Sequence, residues 1–168
     1  SECVLGKWGA SYWVSERTIL KGMAGTMIGT YYAGITIGRI ISGFVSFKFT
    51  NKQLIVTGII ILIVASFGLL FPVPIYLLFP LFFLQGIGLA PIFPSLIHET
   101  PKRFTERKSQ HVIGLQMASA YVGASVIPAI FGVVARYSSL GLYPYFIVGL
   151  GVIMLFVNQT LNKKTKER

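Results

Sequence analysis

Two charged residues, Glu2 and Lys7, occur inside an apolar segment that also contains Trp8 and Tyr12. A charge at the centre of a bilayer costs roughly 2.5 to 3.5 kcal/mol on insertion scales, so each needs a partner or a water-filled cavity. On a helix, Lys7 lies about 140 degrees from Glu2, so the two do not easily pair with each other. A cavity would also suit the polar, aromatic surface of Trp8 and Tyr12. The alternative is that Glu2 lies near the membrane edge.

Further polar residues occur in other apolar segments. They are Tyr31, Gln85 and Gln116, together with a third charge, Arg39. Amides and phenols that face a passage can hydrogen-bond a polyhydroxylated solute, and an aromatic face can stack on a sugar ring. The same side chains can equally bond neighbouring helices. Both interpretations stay open for each residue.

The composition indicates a membrane protein. Hydrophobic residues make up 54% of the chain, charged residues only 12%, and the mean hydropathy is +0.71. The net charge is +10, but the basic residues fall in short runs between apolar segments. Because no basic stripe is interleaved with stacking aromatics, nucleic-acid binding is not expected.

Motifs for catalysis and metal binding are missing from the sequence. One cysteine, Cys3, excludes an internal disulfide and a cysteine-based metal cage, and His98 and His111 lack the spacing of a helical ligand pair. The chain has no G-x-x-x-x-G-K-[ST] loop, no G-x-S-x-G elbow and no paired carboxylates. We therefore expect neither an enzyme, nor a metal site, nor a cofactor.

Hydropathy predicts helical spans, each of which needs about 20 residues to cross the bilayer. They cover residues 1–15 (incomplete), 23–47, 54–71, 75–97, 110–135 and 140–161, followed by a basic tail at 162–168. Ten Lys and Arg residues follow the second, fourth and sixth spans, whereas three follow the others. The positive-inside rule therefore predicts a cytoplasmic C-terminus. The incomplete first span is expected to be cut within a helix.

Small residues and prolines recur inside these spans. The small pairs have helix-contact spacing, as in Gly25/Gly29, Gly34/Gly38, Gly114/Ala118 and Ala120/Ala124. Pro91, Pro94 and Pro128 lie within spans, where proline breaks backbone hydrogen bonds and allows bends. We expect closely packed, bent helices.

Four stretches carry a resemblance to a known family: SECVLGKWGASYWV, GTYYAGITIGRIISG, GIGLAPIFPSLI and GLQMASAYVGASVIPAIFGVVA. Over essentially its whole length the chain resembles the C-terminal half, helices seven to twelve, of a major facilitator superfamily transporter. It is most similar to the fucose permease-like sugar/proton symporter branch. The fold that the resemblance implies is an all-α membrane protein, a six-helix bundle whose N-terminal six-helix partner half is absent here.

The resemblance also implies roles for particular residues. The seventh and tenth helices of the family line its cavity, which makes Glu2, Lys7, Trp8, Tyr12 and Gln85 cavity candidates, with Tyr31 and Gln116 flanking. Glu2 is the local candidate for proton coupling. The loop after the second span is a degenerate echo of the family signature G-x-x-x-D-R-x-G-R-R/K, in which Gly43, Lys48 and Lys52 match, whereas Phe47 replaces the acid and Thr50 the second glycine. With Arg39, these matching residues are candidates for gating and orientation.

The leading hypothesis is a secondary active transporter in a plasma or inner membrane that moves a small polar solute, with a sugar as the expected class, by alternating access driven by protons. One alternative is an exporter of drugs or metabolites with the same fold. Another is a non-transporting receptor or scaffold, which would not need Glu2 and Lys7. A third is a complete six-span protein that pairs with itself.

Overall fold

The computed structural model describes residues 2–16, 20–71, 73–103 and 106–166, and this part of the chain is all-α. In chain order the helices are α1 (Glu2–Glu16), α2 (Lys21–Val45), α3 (Asn51–Gly68), α4 (Ile75–Leu89), α5 (Ile92–Arg103), α6 (Glu106–Tyr137) and α7 (Tyr143–Lys166). A short 3₁₀ turn, Leu140–Leu142, precedes α7. The side chains of Lys102, Arg103, Arg107 and the basic tail lie outside the described residues.

Four stretches of the described chain are long and apolar enough to cross a membrane. They are Asn51–Gly68, Ile75–Pro101, Lys108–Tyr137 and Leu140–Asn162. Helix α1 has 15 residues, fewer than the roughly 20 that a perpendicular crossing needs. Helix α2 has 25 residues, but Arg39 and several glycines, threonines and tyrosines lower its hydropathy.

The stretch 75–97, expected as one span, consists of two helices. Helix α4 ends at Leu89 and α5 begins at Ile92. Pro91 and Pro94 have no N–H, so they cannot donate the helical hydrogen bonds to the carbonyls of Ile87 and Ala90. The backbone resumes its pattern where Ser95 N donates to Pro91 O at 3.1 Å. The two prolines therefore divide this rod at its middle.

Glycines bring α4 into backbone contact with α2 on one side. A Cβ on Gly86 would collide with the carbonyl of Tyr31 and lie 2.8 Å from the amide nitrogen of Ile35. On α2, a Cβ on Gly34 would collide with the carbonyl of Phe83, and one on Gly38 would lie 2.7 Å from the Cβ of Ala90. The Gly34/Gly38 pair thus has the packing role expected from its spacing.

A second glycine contact joins α4 to α3. A Cβ on Gly88 would lie 2.8 Å from both the carbonyl oxygen of Gly58 and the amide nitrogen of Leu62. Along the α2–α4 contact, Gly34 lies against Phe83 and Gly38 against Ala90, so the two helices are parallel. Along the α3–α4 contact, residue numbers rise on one helix as they fall on the other, so these two helices are antiparallel. By contrast, a Cβ on Gly25, Gly29 or Gly114 would have no atom of the described residues within 4 Å, so these three glycines do not show the close approach that Gly34 and Gly38 show.

Large aromatic side chains fill the centre of the bundle. Trp13, Tyr31, Phe82, Phe131 and Tyr143 are each 0% exposed and come from α1, α2, α4, α6 and α7 respectively. Trp13 meets Phe82 edge to face at 5.6 Å between ring centroids, and Phe131 meets Tyr143 at 6.0 Å. These edge-to-face pairs hold helices together where no hydrophobic force acts between apolar surfaces and lipid.

We predict that Gly86→Ala destabilises the protein, because its methyl group forces the α2 and α4 backbones apart. Overpacking of this kind costs about 1–3 kcal/mol. Gly149→Ala in α7 is the matched control, since a Cβ there has nothing within 4 Å. Thermal unfolding of the full-length protein in detergent measures both. Equal unfolding temperatures for the two variants would contradict the assigned contact.

Candidate functional site

Helix α1 exposes a hydrophilic face. The exposed side chains of α1, among those whose burial is described, are Glu2 at its start and Lys7, Ser11 and Ser15 along its length. Lys7, Ser11 and Ser15 recur every four residues, so they form the hydrophilic face, and Glu2 lies about 140 to 180 degrees around the helix from them. Neither serine was singled out in the sequence analysis, although their spacing from Lys7 is the signal that reveals them.

The exposed surface of α7 is of the opposite kind. From Tyr145 to Val157, α7 exposes Tyr145, Gly149, Val152, Ile153, Phe156 and Val157. Such side chains suit contact with acyl chains, whereas an exposed ammonium or carboxylate in hydrocarbon would be costly. The bundle therefore has one face fit for lipid and another, on α1, fit for water.

The register of α1 against α2 sets the depth of Glu2. A Cβ on Gly6 would touch the hydroxyl of Tyr32, and one on Gly9 would lie 3.0 Å from Ile28, so the helices are antiparallel. Continuing that register places Glu2 beside residues 35 and 36 of α2, about 14 Å from the end of that helix at 1.5 Å per residue. Glu2 is thus level with the middle of α2, not with its end.

A groove of about 430 Å³ adjoins the hydrophilic face at the far end of α1. Its lining includes Ser11 and Ser15 of the hydrophilic face and Ala24 of α2. The other lining residues are Ala10, Val14 and Leu140. The two serine hydroxyls, among otherwise apolar side chains, can donate hydrogen bonds to a solute or water and accept hydrogen bonds from it. The groove therefore continues the hydrophilic face from Lys7 toward the far end of α1.

The aromatic cavity candidates of α1 point away from this face. Tyr12 is 5% exposed and stacks on Tyr143 at 5.1 Å between ring centroids. Trp8 is half-buried, and its indole Nε1–H donates to the carbonyl of Pro128 at 3.0 Å. Trp8 therefore joins α1 to α6, and the structure does not bring Glu2, Lys7, Trp8 and Tyr12 together on one surface.

Tyr31 and Gln85 are fully buried between helices. Gln85 Nε2 donates to Ser66 Oγ at 2.9 Å, which links α4 to α3. The oxygen of that amide, Oε1, has no hydrogen-bond partner among the described residues, and neither has the Tyr31 hydroxyl. The same holds for Trp13 Nε1 and the Tyr143 hydroxyl, which were not singled out from the sequence. The core behind α1 thus holds several unused polar atoms.

Gln116 lies on a second groove, of about 410 Å³, between α5 and α6. Its Oε1 is 3.1 Å from the Thr100 hydroxyl, a contact between the two helices. The rest of the lining is Phe93, Leu96, Ile97, Val112, Leu115, Ser119 and Ala120. This groove is mostly apolar, and it lies apart from the hydrophilic face of α1.

Among the gating candidates, Lys52 has a carboxylate partner. Its Nζ lies 3.8 Å from Oε1 of Glu99, and Asn51 Nδ2 donates to the other carboxylate oxygen at 3.5 Å. The Glu99 side chain is 11% exposed and that of Lys52 45%. This pair joins the start of α3 to α5, and the sequence analysis missed Glu99 because the two residues are distant in sequence.

The other three gating candidates lack such a contact in the described structure. Arg39 and Lys48 are exposed and form no ion pair within residues 2–16, 20–71, 73–103 and 106–166. A Cβ on Gly43 would have nothing within 4 Å. The loop therefore supplies one charge contact to the bundle, through Lys52.

We predict that Lys52 and Glu99 are energetically coupled. A double-mutant cycle of Lys52→Gln and Glu99→Gln should give a coupling energy of about 0.2–1 kcal/mol, modest because solvent screens the half-exposed lysine. Lys48→Gln combined with Glu99→Gln is the matched control and should be additive. Thermal or denaturant unfolding of the full-length protein measures both cycles, and equal coupling in the two would contradict a specific pair.

Comparison with known proteins identifies the family. The profile of the Major Facilitator Superfamily matches residues 8–166, nearly the entire chain. No curated protein and no solved structure matches it significantly. Members of this family are multi-pass membrane proteins that transport small solutes by secondary transport and are not enzymes. The chain therefore belongs to the Major Facilitator Superfamily of secondary transporters.

Proposed function

We propose that this chain is the C-terminal six-helix half of a twelve-helix transporter. It moves a small polar solute, with a sugar as the expected class, and couples this movement to that of protons. The observation that carries the proposal is the hydrophilic face of α1, on which Lys7, Ser11 and Ser15 are the exposed residues. A face of this kind is stable at membrane depth only against water or another polar surface. It supports a hydrated passage along α1.

Alternating access assigns parts of the bundle to different tasks. The glycine contacts of α4 with α2 and α3 form a close-packed unit that suits rigid-body movement. Helix α5, separated from α4 at Ala90 and Pro91, is the segment that can change its angle to that unit. The Lys52–Glu99 pair stabilises the state in which α5 lies against α3. In the orientation we propose, with the C-terminus cytoplasmic, this pair is at the cytoplasmic end.

Proton coupling is proposed to depend on Glu2. Its exposed carboxylate is at the start of α1, level with the middle of α2 and on a different side of the helix from Lys7, Ser11 and Ser15. Protonation there removes a charge at membrane depth, which changes the free energy of moving that segment between aqueous and closed environments. Lys7, on the hydrophilic face, is the candidate for holding the solute.

Export of apolar compounds is a second candidate function, and one observation favours it. The groove between α5 and α6 has a volume of about 410 Å³ and is lined mainly by aliphatic and aromatic side chains. An apolar solute would be expected to bind there and not along α1. Transport assays with polar and apolar solutes distinguish the two candidates.

We predict that position 11 of α1 is accessible to water-soluble reagents. In a Cys3→Ala background, Ser11→Cys should react with a membrane-impermeant thiol reagent at least about tenfold faster than Ile153→Cys, since the reactive thiolate forms in water and not in lipid. Ile153 is the matched control, because it is 60% exposed on the apolar face of α7. Equal rates at the two positions would overturn the hydrated passage.

A separate prediction concerns the coupling of solute uptake to protons. Glu2→Gln in the full-length protein should lower proton-driven uptake of a transported sugar into proteoliposomes by a factor of about 5–150, the range of typical coupling energies. Counterflow without a proton gradient should persist, because it needs solute binding and helix movement alone. If uptake and counterflow fall together, Glu2 supports binding or folding and not coupling. If neither falls, Glu2 is not the coupling residue.

A further inference from the structure

The turn between α2 and α3 displays three phenylalanines around a lysine. Phe44, Phe47 and Phe49 are 73%, 86% and 51% exposed, and Lys48 between them is exposed as well. Exposed phenylalanine in this number and proximity is unusual for a surface facing water. We call Phe44, Phe47, Lys48 and Phe49 the aromatic turn.

Local hydrogen bonds hold the aromatic turn in this shape. The amides of Lys48 and Phe49 both donate to the carbonyl of Val45 at 3.0 Å. After the turn, Thr50 forms a capping box with Gln53, which fixes the start of α3. Because the backbone is satisfied at both ends, the three rings are held outward by a defined turn.

The position of the turn relates it to the membrane surface. Helix α3, a candidate membrane span, begins at Asn51, one residue after Thr50. A turn at the end of such a span lies at the level of the lipid headgroups, where aromatic and basic side chains are favoured. Arg39 is exposed about 9 Å before the end of α2, and its long side chain can extend toward the same layer.

The charge at this end of the bundle complements an anionic surface. In the sequence, ten of the fifteen Lys and Arg residues follow the second, fourth and sixth predicted spans, and this turn is the first of those three connections. Lys52 faces Glu99, whereas Lys48 forms no ion pair in the part of the chain described above. A lysine without a carboxylate partner, set among exposed rings, is suited to a phosphate group at the edge of the hydrocarbon.

We propose that the aromatic turn binds anionic phospholipid headgroups of the adjacent leaflet. The rings of Phe44, Phe47 and Phe49 insert among the upper acyl chains, and the Lys48 ammonium contacts the lipid phosphate, with Arg39 reaching the same layer. The site is separate from the solute passage, since it lies on the outer side of α2 and α3 and shares no residue with the face of α1.

A fluorescence experiment tests this site in the full-length protein. Phe47→Trp is reconstituted in phosphatidylcholine vesicles containing phosphatidylglycerol, with bromine on the acyl chains of one lipid or the other. The native Trp8 and Trp13 contribute a background that is measured in the parent protein. Brominated phosphatidylglycerol should quench the new tryptophan more strongly, reflecting a local enrichment on the order of fivefold for one basic residue. Lys48→Gln in this background should remove most of that preference.

Tyr76→Trp is the matched control. Tyr76 is 69% exposed at the start of α4, at the opposite end of α3, in a stretch without basic residues. It should be quenched equally by the two lipids. Equal quenching at Phe47→Trp would overturn the headgroup preference, and absence of quenching by either lipid would show that protein covers the turn. Phe49→Trp provides the same readout if Phe47→Trp does not fold.

Discussion

Backbone contact between α4 and its two neighbours is the constraint on which the rest of the bundle depends. Gly86 admits the backbone of α2, and Gly88 admits that of α3, so one helix fixes two others at distances that no larger residue allows. In lipid no hydrophobic force drives helices together, so the van der Waals packing that small residues allow between close backbones stabilises this contact. Through this unit, Gln85 meets Ser66, and the end of α5 meets the start of α3, where Glu99 finds Lys52.

The division of the surface into a hydrophilic and an apolar face follows from that packing. Helix α1 packs against α2 and α6 through Gly6, Gly9 and Trp8, and this contact turns Tyr12 and Trp13 inward and Lys7 outward. The exposed part of α7 has no such polar stripe between Tyr145 and Val157. The surface with Lys7 and Ser11 is therefore suited to water, whereas the surface with Ile153 is suited to lipid. This contrast is the basis for proposing a transported solute that is polar.

Buried polar atoms without partners mark the interior near α1. Trp13 Nε1 and the hydroxyls of Tyr31 and Tyr143 are enclosed by aromatic rings in the described structure. An unsatisfied buried polar group costs about 1–3 kcal/mol.

The sequence by itself determined the class of this protein. Apolar length predicted helical membrane spans, and glycine spacing predicted the contact at Gly34 and Gly38, because both properties depend on local composition and helical geometry. Pro91 and Pro94 were identified as sites of bends, although only the backbone showed two separate helices. The tertiary structure alone decided which side of α1 faces inward, and so it left Lys7 exposed while Trp8 and Tyr12 pack against other helices. It also decided that Glu99 lies beside Lys52, since the pairing of residues 47 positions apart depends on how helices pack and not on any local pattern.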